Sequence, residues 1–173
     1  VAWTDTYNGT TENEDRGNAA VLDATGNLYT TGYSFRADNG RDIVAVKYTP
    51  TGSVSWQRTF NTGSDNTDEG KAIALDANGN VFVAGLGDRN MLLLKLSPAG
   101  DTLWSRQWNG AANGFDEANS IVIDPSGNII IGGKSDSDAS TVTNYDYAIA
   151  KYNTSGTLLW SQTYNGTGNA EDL

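Results

Sequence analysis

Residues 76–104 read DANGNVFVAGLGDRNMLLLKLSPAGDTLW, and the order of turn, apolar run and turn in them decides the fold. Asp76 and Gly79 mark a tight hairpin, because Gly tolerates positive φ and the Asp carboxylate can bond its own following amides. The run 81–84 then ends at Gly85. A second apolar run, 91–96, ends at Pro98-Ala99-Gly100, another turn signal, and 102–108 follows with an alternating pattern. With 71–75 ahead of it, the stretch holds four short strands and no window of helical periodicity.

The same frame recurs. The segments 23–32, 76–85 and 124–133 read DATGNLYTTG, DANGNVFVAG and DPSGNIIIGG, and 42–56, 90–104 and 146–160 read DIVAVKYTPTGSVSW, NMLLLKLSPAGDTLW and DYAIAKYNTSGTLLW. Trp3, Trp56, Trp104 and Trp160 set the register, with Asp23, Asp76, Asp124 and Lys47, Lys95, Lys151 at fixed offsets. The Trp-to-Trp distances are 53, 48 and 56 residues, while the stretches from Gly32 to Asp42, Gly85 to Asn90 and Gly133 to Asp146 span 10, 5 and 13. Removing them leaves 43 residues in each repeat, so the length variation is confined to one connection, where a scaffold can change its surface without disturbing its core. We divide the chain, as one segment over 1–173, into units of about 4–56, 57–104 and 105–160 with partial copies at both ends.

Composition narrows the chemistry. The 173 residues include no Cys and no His, which excludes a Ser/His/Asp triad, a thiol nucleophile and a zinc site within this chain. With 11 basic and 21 acidic side chains the net charge is −10, which argues against nucleic acid and against an anionic membrane surface. Apolar runs such as 91–94 are far too short to span a bilayer, so no membrane insertion is expected. The lack of Cys fits either a reducing compartment or a secreted bacterial protein that avoids thiols.

The patterns D-x-x-G-N-(apolar)-(aromatic or apolar)-x-x-G and K-(apolar)-x-x-x-G-x-x-x-W resemble the bacterial β-propeller repeats of the SBBP type, although Ile130 and Leu96 stand where the pattern has aromatic residues. The resemblance covers almost the whole chain. It implies an all-β fold of propeller blades, three four-stranded antiparallel repeats plus an extra outer strand at the N-terminus. It also implies a secreted or cell-surface bacterial protein, and carries no catalytic residues. Residues 1–9 read as a fourth strand and the chain ends just before a new first strand, as expected of a window on a longer propeller. The additional blades would come from the same chain or from self-association.

Each repeated residue has a packing reading and a functional one. The Trp at the register position, with the aromatic four residues later, either packs blade on blade or offers a sugar-stacking platform. Asp23, Asp76 and Asp124 with Lys47, Lys95 and Lys151 read as turn caps or structural ion pairs. Asp15, Asp68, Asp116 and Asp172 precede the first strands, with Glu14, Glu69, Glu117 and Glu171 beside them. They read as turn caps, as calcium ligands centred on Asp65 and Asp68, or as paired catalytic carboxylates, of which the last is set aside because a catalytic pair is needed only once. No cofactor other than calcium is suggested.

In an up-and-down repeat the second-to-third connections and those joining one repeat to the next emerge at the same end. Those connections carry 12 acidic and 4 basic side chains, eight of the ten net negative charges. The sequence therefore predicts a non-catalytic binding or display module that engages a protein or glycan there, its partner positively charged or joined through calcium. The partner face is read at Phe35, Arg36, Asp38, Arg41, Asp88, Arg89, Asp136, Asp138 and Tyr145. The alternatives are a structural spacer or assembly subunit of a surface or filament protein, and non-catalytic blades of an enzyme whose active site lies outside this chain.

Overall fold

The computed structural model describes residues 3–9, 14–36, 40–63, 67–136 and 144–166. Among them lie twelve strands in three four-stranded antiparallel sheets, each in simple sequence order. The first sheet is β1 (Asp15–Leu22), β2 (Leu28–Phe35), β3 (Arg41–Tyr48) and β4 (Val54–Phe60). The second is β5 (Glu69–Leu75), β6 (Val81–Gly87), β7 (Asn90–Leu96) and β8 (Thr102–Trp108). The third is β9 (Asp116–Ile123), β10 (Ile129–Asp136), β11 (Tyr145–Tyr152) and β12 (Leu158–Tyr164). No helix among the described residues is long and apolar enough to cross a membrane.

The turns form for the reasons the sequence suggests. Asp76 Oδ1 accepts from the amides of Asn78 and Asn80, both at 2.9 Å, while Gly79 takes φ +76°. Asp23 and Asp124 repeat the arrangement. These bonds hold the Asp23 carboxyl, chiefly through Asn27, and the Asp124 carboxyl, chiefly through Lys151, well below the usual carboxylate range.

The sheets pack face to face in sequence order. Tyr29, Ile43, Ala45 and Trp56 of the first meet Val81, Val83, Leu92, Leu94 and Leu96 of the second. The other face of the second, with Phe82, Ala84, Met91 and Leu93, meets Ala118, Ile129, Ile131, Ala148, Ala150 and Tyr152 of the third. Being covered on both faces, β6 is buried at every position and β7 at residues 91–94. This is why the second repeat reads as continuous apolar runs where an exposed sheet would alternate. Each of these large side chains contributes on the order of 1.5–3 kcal/mol by leaving water.

This arrangement overturns the β-propeller expectation and the resemblance to SBBP repeats that carried it. Among the described residues the three sheets are separate, none curls or closes, and no strand of the first packs against a strand of the third. Face-to-face stacking joins each sheet only to its sequence neighbour, so nothing brings the outer two together. The secreted, cell-surface and bacterial expectations rested on the resemblance and lose that support. The extra N-terminal outer strand does not form either. Residues 3–9 have no strand structure, because a fourth-strand sequence needs a third strand to pair with and no strand among the described residues pairs with them. They lie instead against the outer face of the first sheet, where Trp3 and Tyr7 pack on Val44, Val46 and Tyr48.

Candidate functional site: a charged cleft between the first strands

The first strand of every sheet carries a bulge at the same position, shown by the register slips at Gly17/Ala19, Gly70/Ala72 and Gly132/Gly133. A bulge re-aims the extra side chain. In the first sheet that residue is Asn18, whose amide nitrogen donates to the Gly70 carbonyl of the second at 2.9 Å. In the second it is Lys71, whose Nζ lies 2.6 Å from Glu69 Oε2 and 3.5 Å from Glu117 Oε1 of the third sheet. Burial works against the Lys71 ammonium, but the bonds and charges of Glu69 and Glu117 outweigh it and raise its pKa above the ordinary lysine value.

Arg41, at the start of β3, pairs with Glu69 from the opposite side. Its guanidinium also lies over the rings of Tyr33 and Phe35, 4.5 and 5.0 Å from their centroids. Backbone bonds from Asp68 N to Arg41 O (2.9 Å) and from Asp116 N to Arg89 O (2.8 Å) tie each entry into a first strand to the preceding sheet's second-to-third connection. Between these elements opens a cleft of about 410 Å³ lined by Arg41, Glu69, Lys71, Arg89, Phe115 and Glu117, with Thr67 and Leu86 completing it.

Three cations thus face two carboxylates in a chain of net charge −10. Glu69 answers Arg41 and Lys71, and Glu117 answers Lys71. Arg89 is exposed and has no side-chain partner among the described residues. It sits on the shortest second-to-third connection, Asp88-Arg89, a two-residue hairpin whose residues take φ +50° and +66°. Asn-Gly or Asp-Gly is the usual choice there, and an Arg in the left-handed region costs about 1–2 kcal/mol relative to the normal helical basin.

The other partner-face residues fall around this cleft or beside it. Tyr145 meets Phe115 edge-on at 6.2 Å, with Lys134 Nζ 4.2 Å from the Tyr145 centroid. Arg36 Nε lies 3.4 Å from Asp42, and Asp136, buried, bonds through its amide to the Phe115 carbonyl at 2.9 Å. Asp88 donates its amide to Asp68 Oδ1 at 3.2 Å. Asp38 and Asp138 lie outside the described residues.

The repeated acidic positions are turned inward. Asp68 and Asp116 are almost fully buried, and their carboxylates accept from the backbone of the preceding connection, at Thr62 N (2.9 Å) and Gly110 N (2.7 Å), as Asp15 does at Gly9 N (2.6 Å). Burial raises the pKa of the Asp116 carboxyl. Asp65, the other calcium candidate, and Glu171 and Asp172 lie outside the described residues. Among the described residues no three acidic side chains gather where they could hold a cation.

The register positions face the neighbouring sheet. Trp56, at 9% exposure, meets Tyr29 edge-on at 6.1 Å and donates its indole N–H to the Pro98 carbonyl at 3.0 Å. Trp104 lies edge-on to Phe82 of its own sheet at 5.9 Å and covers Gly156 of the third. Lys151 pairs with Asp124 at 2.8 Å, whereas Lys47 lies over Tyr29 and Lys95 over Phe82.

Sequence reading placed Arg41 and Arg89 on the partner face but missed Lys71, Phe115 and the role of the two glutamates. A signal was present: the bulge position is Asn in two repeats and Lys in the one between them.

No family model matches the chain, and no curated protein does. Its fold is similar to the crystal structure of a protein of unknown function from Bacteroides caccae, with TM-score 0.54 and 17% identity over 87% of this chain. That likeness speaks to the fold alone. The match takes in 47% of the other protein, so this chain spans about half its length.

Proposed function

We propose that this chain is a non-catalytic binding module that takes an acidic glycan at the cleft between its first strands. The observation that carries the reading is Arg89, an exposed cation without a side-chain partner among the described residues, held on a left-handed turn at the mouth of a cleft whose other cations are already paired. Strained backbone at a surface site points toward function. The guanidinium offers a planar fork to a sugar carboxylate, and Phe115 offers a ring edge or face to the pyranose beside it. The acidic connections around the cleft then act in selection, repelling ligands whose charge is not concentrated at one point.

The test is binding to immobilised oligosaccharides carrying uronic or sialic acid, with their neutral counterparts as controls. Native protein binds the carboxylated set, more weakly as salt rises, and Arg89→Ala loses at least about tenfold in affinity, in keeping with one charge-assisted contact. Equal binding to neutral sugars, or an Arg89→Ala variant that binds as well as native protein, contradicts the reading. Binding abolished by a chelator would transfer the role to a bridging calcium ion. The spacer or assembly reading draws on a separate observation, the bare outer face of the third sheet.

A further inference from the structure

Among the described residues the inter-sheet interface is built twice, and one half of a third copy stands exposed. In each complete interface a register Trp covers the glycine of the next sheet's third-to-fourth turn. A methyl group added at Gly100 would lie 2.8 Å from the Trp56 ring, and one at Gly156 would lie 3.1 Å from Trp104. Both glycines have positive φ, +86° and +77°, so the seat requires Gly twice over. Trp160 occupies the same position in the third sheet and covers no such seat among the described residues; it is 42% exposed. Its neighbours on that face, Tyr147 and Ile149, are 48% exposed and half-buried, where Met91 and Leu93 in the second sheet are fully buried.

The matching seat also exists, at the other end of the molecule. Gly52, with φ +89°, is the equivalent turn glycine of the first sheet, and Pro50 stands where Pro98 accepts the Trp56 indole N–H. Trp3 fills this seat: a methyl at Gly52 would lie 2.6 Å from its ring, which stacks on Tyr48 at 5.5 Å. The cover is partial. A cavity of about 330 Å³ remains between residues 5–7 and the first sheet, reaching Gly32, Val44 and Val46. Inside the molecule a whole sheet fills the equivalent space.

We propose that a second copy of this chain docks head to tail, laying the face around Trp160 on the outer face of its partner's first sheet, and that Trp3 is an internal plug which Trp160 displaces. The occupant is a second copy because the two faces are successive members of one repeating interface, and the free one is the knob to the other's seat. Such a contact is heterologous, so each added copy offers a new knob. The plug lowers apparent affinity by the fraction of molecules whose seat is open.

Sedimentation velocity over a micromolar concentration series tests this with Trp3→Ala, Trp160→Ala and the double variant, each checked for native circular dichroism. Emptying the seat with Trp3→Ala tightens self-association by about tenfold or more. Trp160→Ala, an exposed position that the fold does not need, weakens it by about 30-fold. The double variant keeps an open seat and lacks the knob, so added to Trp3→Ala it ends growing assemblies and shortens them. A Trp3→Ala protein that is folded yet associates no more than native, or assemblies indifferent to Trp160→Ala or to the double variant, overturns the proposal. Should Trp3→Ala fail to fold, native protein at high concentration still decides it, because its association must disappear in Trp160→Ala.

Discussion

One substitution made at three equivalent positions separates packing from mere repetition. Trp56, Trp104 and Trp160 share a place in the repeat, yet their surroundings differ. Trp56 is 9% exposed, lies edge-on to Tyr29 and donates to the Pro98 carbonyl. Truncating such a residue costs about 3–5 kcal/mol through lost transfer energy and the cavity left behind. Trp104 is half-buried, with Phe82 on one side and the Arg106 guanidinium 5.3 Å from its centroid, and Arg106 Nε is itself fixed by the Gly156 carbonyl at 2.8 Å. A cost of about 2–4 kcal/mol follows, since part of the ring already meets water. Trp160, 42% exposed, is covered by no sheet among the described residues, and its removal should cost no more than about 1 kcal/mol, near the range of surface substitutions. For a chain of this size each kcal/mol lowers Tm by about 2–4 °C, so Trp56→Ala should melt about 6–20 °C below native. Calorimetry on dilute, monomeric protein gives the comparison. Equal losses at all three positions, or a loss at Trp160 as large as that at Trp56, would refute the claim that stacking on the next sheet is what these residues do.

Gly85→Ala drives its methyl into the Glu69 carbonyl across the bulge and should cost about 1–3 kcal/mol or more by overpacking, read as a fall in the denaturant midpoint. Lys71→Met removes the cation between Glu69 and Glu117 while keeping the length of the side chain. It should lose stability by about 3–5 kcal/mol, since the two carboxylates are left without the cation between them, and a urea midpoint unchanged from native would contradict that. The carboxyl of Asp116 is raised by burial, so ionising it costs more in the folded chain than in the unfolded one. The stability associated with its protonated form is present at low pH and is withdrawn as pH climbs from the unfolded pKa through the raised folded one. Asp116→Asn cannot ionise, so its stability relative to native should rise across that window, and a flat difference would count against the buried-carboxylate assignment.

The local structure was legible because each repeat states it several times: Asp with Gly three residues on, apolar strand, second turn, register Trp. The stacking was partly legible in the second repeat, where residues 81–86 and 91–94 are apolar on both faces of their strands. The propeller reading failed because identical repeats fix the sheet and its neighbour contact, while closure depends on relations between the first and last sheets that no local pattern encodes. Residues 3–9 depart from their reading for a related reason, as the fourth-strand pattern is real but strand formation needs a pairing edge. The cleft was hidden because Arg41, Lys71 and Arg89 lie on different strands and connections, and a bulge residue escapes the period-two alternation by which faces are assigned.

A ligand seated in the cleft at Arg89 is seen most plainly by an amide-resolved NMR titration of native protein with a uronate oligosaccharide. Saturable shifts should group at Arg41, Lys71, Arg89 and Phe115, with the Gly26, Gly79 and Gly127 turns at the opposite end unmoved. Shifts clustered at those turns or on the Trp160 face, or none at saturating ligand, would contradict it.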